Sequence, residues 1–104
     1  MPVANGFIRT VAGGNKFTST FIIDDTQYHF SGNFNPPVQE FMSNDARLEY
    51  ESPEQLTTHQ GFDGKIGTSD TLLSIQNGPS ITGHLNMPIS PASRVCGSGT
   101  WSQD

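Results

Sequence analysis

The stretch Phe17-Thr18-Ser19-Thr20-Phe21-Ile22-Ile23-Asp24-Asp25-Thr26-Gln27-Tyr28-His29-Phe30-Ser31-Gly32-Asn33-Phe34 decides the fold. On both sides of Asp24-Asp25 apolar and polar residues alternate, the period of a half-buried β-strand. A two-residue turn at the aspartates opposes Ile23 to Thr26, Phe21 to Tyr28, Ser19 to Phe30 and Phe17 to Gly32. In that register the aromatic side chains share one face, and a slip of one residue would turn them all outward. Asp suits such a turn less well than Asn-Gly, but it tolerates left-handed φ better than most residues.

Upstream, Gly6 to Val11 reads as a first strand and Gly13-Gly14 as the turn that follows it. Downstream, Asn35-Pro36-Pro37 ends the second hairpin strand, because proline donates nothing to a ladder. Val38, Phe41 and Met42 then allow either one or two helical turns begun at Pro37 or a loop that tucks Phe41 inward. Leu48 to Glu51 reads as a short strand and Leu56 to Ile66 as a long one, with Leu56, Thr58, Gln60, Phe62, Gly64 and Ile66 on one side. Around Gln76-Asn77-Gly78, a two-residue loop would set Leu73 against Thr82. A three-residue loop with Gly78 left-handed sets Leu73 against Ile81 and Ile75 against Pro79, and is preferred. Gly97 to Trp101 closes the chain as a last strand.

A short pattern, apolar–x–Gly–x–apolar, recurs at Phe30–Phe34, Phe62–Ile66 and Ile81–Leu85. Each glycine sits on the core-facing row, where a strand loses stability unless the space is needed for coiling, a bulge or an overlying ring. Three such sites in 104 residues point to strongly curved strands. The expectation is an all-β domain spanning residues 1–104, an antiparallel meander rolled into a small barrel or sandwich of about seven or eight strands. Its expected core is Ile8, Phe17, Phe21, Ile23, Tyr28, Phe30, Phe34, Phe62, Ile66, Leu73, Ile75, Ile81, Leu85 and Trp101.

Composition narrows the function. Charged residues make up 14%, and their place is taken by 11 Ser, 10 Thr, 7 Asn and 6 Gln. A formal charge of −5 with five Lys+Arg opposes nucleic-acid binding, which needs clustered cations to release counterions. No run of residues is long and apolar enough for a helical membrane span. The first residues lack the basic and apolar segments of a secretory leader, which leaves a cytoplasmic protein or one secreted after removal of a signal. The single Cys96 cannot form an internal disulfide.

Candidate chemistry is sparse. His29, His59 and His84 fall on polar rows, and with Asp63 they could converge on a metal or serve as acid and base if their strands were adjacent. Their spacing matches no metal motif, and solvated imidazoles on an outer face explain them equally. Acidic residues cluster between Glu40 and Glu54 without the alternation of an EF-hand loop. No nucleophile elbow or phosphate loop is present. The expected activity is therefore non-catalytic, with no cofactor: binding of a neutral polar ligand such as a glycan. The Ser/Thr/Asn/His-rich face would supply hydrogen bonds through His29, His59, Asp63 and His84. Tyr50, Trp101 and Phe41 would supply exposed rings for stacking. The alternatives are a homodimeric assembly module, using an open sheet edge or a face bearing Phe7, Phe34 and Phe41, and an enzyme built on a His/Asp site.

Overall fold

The computed structural model describes residues 2–11, 15–35 and 38–103. Six antiparallel strands make up nearly all of it: β1 (Val3–Val11), β2 (Lys16–Ile23), β3 (Thr26–Asn35), β4 (Met42–Glu49), β5 (His59–Ile75) and β6 (Ser80–Gln103). Among the described residues the other regular element is a 3-10 turn at Pro53–Gln55.

The β2–β3 hairpin has the expected register, with Ile23 opposite Thr26, Phe21 opposite Tyr28 and Phe17 opposite Gly32. Asp24 and Asp25 adopt φ of 50° and 66°, the two positive values a type I′ turn requires. The second loop also follows the three-residue reading. Leu73 opposes Ile81, Ile75 N donates to Pro79 O at 2.9 Å, and Gly78 has φ of 123°. The Gly13-Gly14 turn lies outside the described residues.

The connectivity is richer than a meander. Hydrogen bonds run β3–β2–β1–β4–β6 and return from β6 to β3, a closed ring. Length explains how. At about 3.3 Å per residue, β5 would extend about 56 Å and β6 about 80 Å if straight, yet the molecule measures 35 × 23 × 22 Å. Both strands must bend. β6 pairs with β4 through Ser80–His84 and with β3 through Cys96–Gln103. Along its other flank β6 pairs with Asp70–Ser74 of β5 in its first half and His59–Ile66 in its second.

β5 folds back so that its two halves lie side by side. Gln76 N donates to Gly61 O at 2.9 Å, and a Cβ on Gly64 would collide with the Leu72 carbonyl oxygen. Gly32 makes the same close approach to Ser98 O on its neighbouring strand. β5 thus has a neighbour on each flank, and the six strands present about eight segments around the barrel. The curvature inferred from the recurring glycines has this physical form.

One open alternative is settled, and strand limits change at three points. Residues 38–41 are not helical, and the chain approaches β4 there as a loop with Phe41 tucked inward, 7% exposed; Pro37 lies outside the described residues. The short strand expected at Leu48 starts earlier, at Met42, because β1 and β6 flank it on both sides. The long strand expected from Leu56 starts at His59, because Thr58 takes φ of 63° after the 3-10 turn. It also runs past Ile66 to Ile75.

The barrel interior is solid. Phe17, Phe30, Phe34, Phe62 and Trp101 stack in one cluster with centroids 4.6–6.1 Å apart. Every expected core residue is buried except Tyr28, which packs half-buried against the cluster. Phe41 packs on Phe34 at one end, and Leu56 is buried near the other. These rings fill the space that an open barrel would leave for a ligand.

Candidate functional site

The outward row of the barrel carries the uncharged face anticipated from composition. Thr18, Ser31, Thr100 and His59 line up across β2, β3, β6 and β5. Thr20, His29 and Ser102 form the next row. Much of this polarity is spent internally: Thr18 Oγ1 and Ser31 Oγ share a hydrogen bond of 3.0 Å, Thr20 Oγ1 lies 2.8 Å from His29 Nδ1, and His59 Nδ1 lies 3.1 Å from Thr100 Oγ1.

The histidines divide between two sides of the molecule. His29 and His59 belong to the neutral face. His84 stands between Asp45 of β4 and Asp70 of β5 in one cross-strand row, with its Nδ1 3.2 Å from Asp70 Oδ1. Asp63 faces Cys96 instead. The convergence of histidines with Asp63 does not occur, because β6 contributes His84 from its first half and flanks His29 and His59 with its second. Among the described residues no three His, Cys, Asp or Glu side chains could hold a metal. The Asp70–His84 contact is 75% and 70% exposed and therefore of small energetic weight.

The proposed stacking rings are not on the surface. Tyr50, Trp101 and Phe41 are 6%, 5% and 7% exposed. Trp101 faces inward against Phe30, 4.6 Å between centroids, because it falls on the row that includes Gly97 and Gly99. Phe34 is likewise core, and Phe7 is half-buried beneath the Arg9 guanidinium at 5.9 Å. The apolar dimerisation face expected from Phe7, Phe34 and Phe41 therefore does not form. Ring closure also gives β3 a second neighbour, β6, so β3 is not an open edge.

A concavity lies elsewhere, where the end of β1, the approach to β4 and the bend of β6 meet. It is a cleft of about 460 Å³. Phe41 and Ile89, both buried, lie at its base, and the exposed Met42 and Met87 form its lips. Arg9, Gln39, Glu40 and Asn86 bring polar groups to its rim. Thr10 fixes one wall: Phe41 N donates to its Oγ1 at 2.9 Å, while Thr10 N and Oγ1 both donate to Phe41 O, at 3.0 and 3.2 Å. Across the cleft Asn44 N donates to Asn86 Oδ1 at 3.3 Å, tying β4 to β6. Such a concave, mostly apolar and internally braced site is the usual form of a small-molecule pocket.

Sequence reasoning missed Arg9, Met42, Met87 and Ile89, which come from three separate strands. One signal was available: a lone methionine within Asn86-Met87-Pro88 is an unusual choice for an exposed strand position, and methionine adapts readily to varied ligands. No known family model, no curated protein and no solved structure matches this chain.

Proposed function

We propose that this chain is a non-catalytic binding module whose ligand enters the cleft between Thr10, Phe41 and Ile89. The carrying observation is Met87, 77% exposed on a strand, standing opposite a buried apolar floor. A large apolar side chain so exposed gains by covering an apolar ligand, at about 25 cal/mol per Å² removed from water. The ligand class that fits is a small amphipathic molecule: an apolar body on Phe41 and Ile89, and a polar end reaching Arg9, Glu40 or Asn86. The non-catalytic reading rests on the cleft's chemistry, since its one hydroxyl, that of Thr10, is committed to the Phe41 backbone.

A second reading keeps a glycan on the neutral face, favoured by the continuous row of Thr18, Ser31, Thr100 and His59. It lacks a stacking ring, and its hydroxyls already pair with one another.

One experiment separates the two. ¹⁵N-labelled protein is titrated with phenyl- and alkyl-bearing fragments and, in parallel, with neutral oligosaccharides. The cleft reading expects fragment-induced shifts at the Phe41 and Ile89 amides that Met87→Asp abolishes without lowering Tm. Saccharide shifts at His29, His59 and Thr100, with none in the cleft, would overturn it in favour of the second reading. Fragment shifts unaffected by Met87→Asp would remove the cleft altogether.

A further inference from the structure

Lys65 of β5 and Arg94 of β6 are directly opposite one another in the antiparallel register, and both are exposed. They are two of only five Lys+Arg in a chain of net charge −5. Like charges directly opposed across strands are destabilising, so their placement calls for a compensating group. Among the described residues no carboxylate lies within 4.0 Å of either cation. The two side chains flank a depression of about 290 Å³, which Gly64, Leu72 and Val95 also line.

We propose that the Lys65–Arg94 pair is a binding site for a tetrahedral oxyanion of two negative charges, a phosphate either free or as a monoester. The Arg94 guanidinium provides planar, two-pronged hydrogen bonding to anion oxygens, and the Lys65 ammonium a mobile point charge. Leu72, 43% exposed beside them, offers an apolar surface to the organic part of an ester. Asp63, on the same side of β5 and two residues before Lys65, also lines the depression and opposes the anion. It limits affinity and restricts the site to ligands that engage both cations. This site lies apart from the cleft of Phe41 and Ile89, and its test is independent of that reading.

The test uses the intact ¹⁵N-labelled chain, titrated with inorganic phosphate, with phenyl phosphate, and with sodium chloride at matched ionic strength. The expected result is saturable shifts at Gly64, Lys65, Arg94 and Val95 with both phosphates and none with chloride. Arg94→Gln should weaken phosphate binding about tenfold. Asp63→Asn should strengthen it several-fold, because a negative charge lining the site is removed from beside a dianion. Tighter binding of phenyl phosphate assigns the site to esters through Leu72, and equal binding assigns it to the free anion. Shifts that chloride reproduces, or that survive Arg94→Gln unchanged, would overturn the site. Both substituted positions, Asp63 and Arg94, are exposed, so the fold should tolerate the changes.

Discussion

Gln55 and Asn77 exchange two hydrogen bonds of 2.9 Å, the side-chain amide of each donating to the backbone carbonyl of the other. The pair clasps the 3-10 turn to the β5–β6 loop beside buried Leu56 and Tyr50. Gln55 has a second task, because its Oε1 accepts from Glu51 N at 2.9 Å and from Ser52 N at 3.3 Å.

The two tasks predict unequal losses. Asn77→Ala should cost about 0.5–1 kcal/mol, as expected for partly solvated hydrogen bonds. Gln55→Ala should cost about 1–2 kcal/mol, since the capping box is lost as well. A double-mutant cycle by urea denaturation should return a coupling of at least about 0.5 kcal/mol. Additive losses would mean that the clasp does not act as a unit.

Gly64 and Gly61 lie on the same half of β5 but should respond unequally to a methyl group. A Cβ at Gly64 meets the Leu72 backbone, whereas at Gly61 it meets the movable Gln76 side chain at 2.9 Å. Gly64→Ala should destabilise by about 2 kcal/mol or more through overpacking. Gly61→Ala should be within about 0.5 kcal/mol of neutral, its crowding offset by the reduced freedom of the unfolded chain. Thermal unfolding of both variants decides this, and comparable Tm values would contradict the close pairing of the two halves of β5.

Two buried hydroxyls make a similar contrast. Ser19 Oγ donates to Phe30 O at 2.7 Å, while Thr71 Oγ1 has no hydrogen-bond partner among the described residues. Ser19→Ala should therefore cost about 1 kcal/mol, leaving the Phe30 carbonyl short of a donor. Thr71→Val should gain about 1 kcal/mol, because an isosteric methyl replaces an unpaired polar atom. Chemical denaturation of the pair measures both signs, and a destabilised Thr71→Val would show that the hydroxyl is satisfied in solution.

Trp101 reports the state of the core. Buried against Phe30, it should emit at short wavelength and resist collisional quenching by acrylamide in the folded protein. Saccharide added to the outer face should leave that emission unchanged. Ready quenching below the unfolding transition would argue that the indole is accessible.

The amino-acid order alone determined what is local. Asp24-Asp25 and Gln76-Asn77-Gly78 each join alternating strands through a loop short enough that one register buries the apolar row, so Phe21–Tyr28 and Leu73–Ile81 pair as read from the sequence. The all-β class and the curvature at Gly32 and Gly64 were legible for the same reason. Only the tertiary structure decided which strands meet beyond the hairpins. An alternating strand specifies which of its faces is buried but not which neighbour it takes, so β4 beside β1, the return of β5 on itself and the two-sided role of β6 leave no local trace. The sites depend on those choices. Met42 and Met87 become the lips of one cleft, and Lys65 and Arg94 become opposed charges, because bent strands bring distant residues together. The rings of Tyr50 and Trp101 point inward because closing the barrel buries more apolar area than an open sheet could.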